Sequence, residues 1–211
     1  MPGEFHEPGK CPSRPQLECE SPRSSRLIVK NNPDKGKNLL VWRWNSGRVT
    51  KDDIGDPTRT TKFALCVYDS LGGAPFRILS LEVDGGRSWR RTTPQVLQYS
   101  AFRETGEGVT GILLKTAASG GKIRFKAEGS RFPVPSTASK SKLFHKDKDL
   151  VVQLINSSTS HCWTSTFATA ASNSTEAFAA TESSRDRGAV TASRGGDEPC
   201  MPENSSGTVT R

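Results

Sequence analysis

The chain has 211 residues, a formal net charge of +8 and a pI near 9.4. Its 33% hydrophobic content lies below the usual globular share, and no apolar stretch approaches the ~20 residues of a membrane-crossing helix. Length and composition therefore allow one core of moderate size and leave no room for a helical membrane span. The positive balance admits phosphates, anionic lipid or acidic polysaccharide as partners. Its densest clusters are Arg87-Ser88-Trp89-Arg90-Arg91 and residues 140–148, the second interrupted by Asp147 and followed by Asp149.

Residues 1–25 carry Pro2, Pro8, Pro12, Pro15 and Pro22 with little apolar content, and read as an extended, mobile lead-in. Residues 1–16 lack the apolar middle of a secretory signal. Over residues 26–168, short apolar runs alternate with turn residues. The turn at Asn31 to Gly36 precedes Leu39-Leu40-Val41-Trp42-Arg43-Trp44, where both tryptophans share the Leu40 face and are expected in the core. Residues 62–68 place Phe63, Leu65 and Val67 on one side and Ala64, Cys66 and Tyr68 on the other, the mark of a central strand. Residues 76–83 form a third run, followed by weaker strands at Trp89 and at residues 96–99.

Residues 111–115 are a short strand, and Gly120-Gly121 turns the chain into residues 122–127. There Ile123, Phe125 and Ala127 point inward while Lys122, Arg124 and Lys126 point outward. Phe132-Pro133-Val134-Pro135 must leave the sheet or hug its edge. Strands follow at residues 150–156 and 162–167. Residues 169–211 read as a low-complexity tail, with a short helix near 174–182 capped by Asn173 or Ser174. Eight or nine strands with no intervening helix predict an all-β fold: an antiparallel β-sandwich, or alternatively a partly open barrel, between disordered N- and C-terminal tails.

Cys66 and Cys162 fall in strands distant in sequence and are expected to form a disulfide across the core. Cys11, Cys19 and Cys200 fall in the tails, where a local bridge and no role at all are both open. A disulfide implies an oxidising compartment, extracellular or periplasmic. A longer polypeptide or a different start would reconcile that with residues 1–16.

No pattern for nucleophilic, phosphate-loop, dinucleotide or zinc chemistry occurs. Neighbouring His161 and Cys162 point to opposite faces of a strand, so they form no dyad. Asp52, Asp53 and Asp56 read as turn chemistry rather than a calcium loop or a hydrolase pair. No catalytic, cofactor or metal residue is expected. Trp89, set among Arg87, Arg90 and Arg91 after a Gly-Gly turn, is the expected ligand contact. Sequons begin at Asn156, Asn173 and Asn204, as serine-rich segments produce by chance.

The ordered set of Trp42-Arg43-Trp44, Leu65-Cys66-Val67-Tyr68-Asp69, Gly111-Ile112-Leu113-Leu114-Lys115, residues 122–129 and Cys162-Trp163 resembles an uncharacterised family of bacterial, deltaproteobacterial-type secreted domains. The resemblance implies an all-β fold outside the cytoplasm and carries no activity or catalytic residue with it. A cysteine pair that relatives often have near Trp89 is missing here, which implies a looser loop. The expected function is a non-catalytic extracellular or cell-surface binding or structural β-module with a glycan or extracellular protein as partner. The alternatives are a basic domain binding nucleic acid or anionic polysaccharide, and a polysaccharide-active hydrolase or lyase.

Overall fold

Alternating side chains and closely spaced turns give two antiparallel sheets stacked face to face. The computed structural model describes residues 10–105 and 107–184. One sheet is built from β1 (Ser24–Lys30), β2 (Leu39–Val49), β5 (Trp89–Thr93), β6 (Val96–Thr105), β7 (Val109–Lys115), β8 (Ala117–Glu128), β11 (Ser172–Asn173) and β12 (Ala177–Ser183). Its order is β11-β12-β1-β2-β8-β7-β6-β5. The other is built from β3 (Phe63–Leu71), β4 (Ala74–Val83), β9 (Leu150–Asn156) and β10 (Cys162–Phe167), in the order β10-β9-β3-β4. The strands divide into two separate antiparallel sheets, neither closed on itself, which is the expected sandwich.

The space between the sheets is filled by inward-facing residues of both. Leu40, Trp42, Trp44, Phe125, Phe63 and Trp163 are all excluded from solvent. A buried indole N–H needs an acceptor, and here the acceptors lie on the opposite sheet. Trp42 Nε1 donates to Ser165 Oγ at 3.0 Å, Trp44 Nε1 to the Thr164 carbonyl at 3.0 Å, and Trp163 Nε1 to the Arg48 carbonyl at 3.2 Å. These bonds fix how β2 and β10 sit against each other. Gly47 makes the arrangement possible, because a Cβ there would lie 2.1 Å from the Trp44 ring.

The second face of β3 is buried too. Ala64, Cys66 and Tyr68 point away from the sandwich core, and residues 10–22 cover them. Two disulfides hold this strap, Cys11–Cys66 and Cys19–Cys162, with Cα separations of 5.5 and 4.8 Å. Between the bridges, Gln16 and Gln153 exchange hydrogen bonds: Gln16 N donates to Gln153 Oε1 at 2.9 Å and Gln153 Nε2 to the Gln16 carbonyl at 2.8 Å. Tyr68 Oη donates to the Pro12 carbonyl at 3.2 Å, and burial pushes its phenol above the usual pKa, which keeps it a neutral donor. Beyond Cys19, Glu20 pairs in parallel with Trp163 and covers the free edge of β10.

The expected Cys66–Cys162 disulfide is therefore corrected. Both residues lie on the outer face of the same sheet, with β9 between them. Two strand spacings of ~4.8 Å exceed the ~7 Å Cα limit for a bridge. Each pairs instead with a cysteine of the lead-in. Residues 10–25 consequently belong to the domain, while residues 1–9 and Cys200 lie outside the described residues.

The other boundary also moves outward. Residues 177–183 form a strand, not the expected helix near 174–182, and pair along all of β1 from Lys30↔Ala177 to Ser24↔Ser183. Burial of Phe178 and Ala180, with Phe178 edge-on to Phe144 at 4.8 Å, overrides the helix propensity of the alanines. Glu182, also inward, accepts from Ser25 Oγ at 2.9 Å and Thr166 N at 3.1 Å.

Loop closure over 55 and 143 residues stabilises by about 4 and 5 kcal/mol in the chain-entropy treatment. Replacing Cys19 and Cys162 together by serine should lower the unfolding free energy in urea by about 2–5 kcal/mol; an unchanged midpoint would contradict this. Gly47→Ala should cost about 1–3 kcal/mol through overpacking against Trp44, read as a lowered melting temperature.

Candidate anion-binding face

The strap covers one side of the sandwich; the other side is the outer face of the larger sheet. Inward and outward positions alternate along each strand, so cross-strand register decides which outward side chains become neighbours. Arg26 of β1 pairs with Arg43 of β2, and Arg43 pairs with Arg124 of β8. The same row continues through Leu113 of β7 and Gln98 of β6 to Arg90 of β5. Lys122 and Lys126 flank Arg124 along β8, and Lys115 of β7 lies opposite Lys122.

Arg26, Arg43 and Arg124 are exposed, and no carboxylate of a described residue makes an ion pair with them. Directly opposite side chains have Cβ atoms about 4.5–5.5 Å apart, and like charges so placed destabilise the sheet. Glu128 of β8 is a carboxylate on this face. Lys126 Nζ reaches it at 2.5 Å and Thr110 Oγ1 donates to it at 3.0 Å. The Lys126 hydrogen bond, aided by Thr110, holds the Glu128 carboxyl below its ordinary 4.5.

A cleft of about 230 Å³ opens in this face where β6, β7 and β8 meet. Its lining includes Gln98, Ser100, Gly111, Leu113, Arg124 and Lys126. Ser100 and Lys126 are the cross-strand neighbours of Gly111 on either side.

The expected contact residues separate. Trp89 is buried at 4% exposure, between Phe63 and Tyr99 with ring centroids at 5.5 and 5.4 Å, and donates Nε1–H to the Asp84 carbonyl at 3.1 Å. Its expected exposure is corrected: it pairs with inward-facing Tyr99, so alternation turns it into the core. Alternation turns Arg90 outward into the cationic row. Arg87 and Arg91 are exposed, and Arg91 lies on the rim, where it donates to the Pro94 carbonyl at 3.4 Å. Arg26, Arg43 and Arg124 were not singled out by the sequence as a site; outward alternation was the available signal.

Other polar clusters are occupied by structure. Asp53 forms a capping box with Thr50 on the short helix Lys51–Ile54. The Asp56 main-chain carbonyl closes a turn by accepting from the backbone N–H of Arg59, Thr60 and Thr61, and its carboxylate accepts from Thr58 Oγ1 at 2.6 Å. Asp69, 2% exposed, accepts from Ser70, His145 and Lys146 backbone N–H groups and anchors the basic loop 140–148. Asn156 and Asn173 spend their amides on the fold: Asn156 Nδ2 donates to the Asp53 carbonyl, and Asn173 brackets Phe144. Asn204 lies outside the described residues. Cys162 is consumed by its disulfide, and His161 stands 3.8 Å from Asp53 and edge-on to Trp163. Among the described residues, no three His, Cys, Asp or Glu side chains cluster as metal ligands, and no helix is long and apolar enough to cross a membrane.

No family model, no curated protein and no solved structure matches the chain.

Removing one of the opposed cations should relieve repulsion. Arg43→Thr, which places a strand-favouring residue there, is expected to raise the unfolding free energy by ~0.2–1 kcal/mol. A loss of stability in urea titration would show that the row is not repulsive.

Proposed function

We propose that this protein is a non-catalytic extracellular or cell-surface module that binds an acidic polysaccharide across the outer face of its larger sheet. The observation carrying this reading is the row of opposed, exposed arginines Arg26, Arg43 and Arg124 without carboxylate partners among the described residues. Such a row costs stability in the free protein and gains it back when a polyanion lies across it. From Arg26 to Arg90 the row crosses five inter-strand steps, about 24 Å at ~4.8 Å each. That suits an extended chain bearing several charges rather than a single small anion.

Two observations favour polysaccharide over nucleic acid. The two disulfides belong to an oxidising environment. Single-stranded nucleic acid is usually held by stacking on aromatics. The tryptophans that could stack on bases or sugars are all buried.

The protein should bind immobilised heparin and elute with salt. Arg26→Glu, Arg43→Glu and Arg124→Glu should each weaken binding, with a fall of roughly one in the slope of log affinity against log salt concentration. Equal retention of wild type and variants would refute the reading; tighter, variant-sensitive binding to duplex DNA would transfer it to nucleic acid. Acidification supplies a further check. As pH falls through the lowered pKa of Glu128, its negative charge is lost and Lys126 is freed, so affinity for a sulfated polymer should rise. The same protonation removes the small stability contribution that ionised Glu128 makes at higher pH. Glu128→Gln should reproduce the tighter binding at neutral pH.

A further inference from the structure

We infer that the cleft lined by Gly111 is a subsite for one anion-bearing sugar ring, an inference that rests on the polysaccharide reading above. Gly111 lies inside β7. Glycine inside a strand weakens it, and commonly marks a bulge, a bend or the close approach of another molecule. Gly47 and Gly121 have packing reasons: a Cβ at the first would meet the Trp44 ring at 2.1 Å, and at the second the Val49 side chain at 2.7 Å. Gly111, which lies beside register shifts on both of its pairings, has no such close contact and no left-handed backbone. Its φ is not among the positive values, and the nearest atom to a Cβ there is the Tyr99 carbonyl oxygen, at an ordinary 3.9 Å. The bulge between Val109 and Gly111 is accommodated without left-handed backbone at Gly111, so a side chain at that position would fit the strand.

Gly111 lines the cleft. With its neighbours Ser100 and Lys126 on either side, it borders an opening of about 230 Å³. That is smaller than the ~300–1,000 Å³ pocket of a drug-sized ligand and suits one ring. The lining is mixed in the way a charged sugar requires. Leu113 offers an apolar surface to ring C–H groups, Gln98 and Ser100 offer neutral hydrogen bonds, and Arg124 offers a planar fork for a sulfate or carboxylate. Lys126, held by Glu128, supplies a second cation at the rim. The cleft lies beside the arginine row, so a chain crossing Arg26, Arg43 and Arg124 reaches it without turning. The row supplies attraction along the chain, and the cleft selects a position on it.

The test is calorimetric titration of the full chain with a sulfated heparin tetrasaccharide and with its desulfated counterpart, which retains the carboxylates. Gly111→Val, which fills the cleft with a strand-favouring residue, should weaken binding about tenfold, the size of one lost charge-assisted contact. It should leave the melting temperature of the protein as it was and lower the slope of log affinity against log salt concentration by no more than about one. Ser100→Val, which narrows the cleft from β6, should do the same and guards against a folding defect peculiar to Gly111. Loss of affinity for the sulfated probe alone assigns the subsite to sulfate; parallel loss with both probes assigns it to carboxylate. Unchanged affinity in both cleft variants, with weakened binding in Arg43→Glu, overturns the subsite and leaves the polysaccharide reading standing. Unchanged affinity in all three variants overturns both.

Discussion

The second face of β3 has to be covered. A strand with Phe63, Leu65 and Val67 on one side and Ala64, Cys66 and Tyr68 on the other cannot lie at a solvent surface without exposing one apolar stripe. Among the described residues no third sheet buries the second stripe. The chain meets the constraint with residues 10–22, a segment too poor in apolar residues to dock by the hydrophobic effect alone. Two disulfides and the Gln16–Gln153 amide pair take over that task. The bridges reach β3 and β10, and Glu20 covers the edge of β10. The strap is thus an irregular third layer, and its chain continues directly into β1 of the opposite sheet.

This arrangement makes the sandwich two-sided in character. One outer face carries the strap and is cross-linked to it; the other is open and carries rows of Arg and Lys. The same antiparallel register that aligns Trp42 with Phe125 inside aligns Arg43 with Arg124 outside, because strand alternation couples the two. The indole hydrogen bonds of Trp42, Trp44 and Trp163 tie β2 to β10 and so hold the cationic face to a rigid support. Preorganised cations lose less entropy when they meet a polyanion than cations on a mobile tail would.

Much of the central fold was legible because the signals were local. Period-two alternation in residues 63–68, 122–127, 150–156 and 162–167, together with Gly, Asn and Asp at the turns, marked strands that the structure contains. The burial of Trp42 and Trp44 followed from their shared face with Leu40. The remaining features depend on register between distant segments, which local patterns do not encode. Residues 177–183 look helical in isolation and become a strand because β1 offers a partner and the core receives Phe178. The proline-rich lead-in looks like coil and is ordered by cysteines whose partners lie 55 and 143 residues away. The arginine neighbours of Trp89 suggest exposure, yet alternation across Trp89, Arg90 and Arg91 turns one side inward, and Trp89 takes it. The arginine row was invisible for the same reason as β12: Arg26, Arg43 and Arg124 become neighbours only once β1, β2 and β8 are paired.

The account depends on which sulfur bonds to which. Peptide mapping without reduction addresses this directly, using acid-quenched protein cleaved with a glutamyl endopeptidase that separates Cys11 from Cys19 at exposed Glu18. The result predicted is one linked pair of peptides carrying Cys11 and Cys66, and a second carrying Cys19 and Cys162. A Cys66–Cys162 or Cys11–Cys19 linkage would contradict the account, because the strap would then have no attachment to the face it covers.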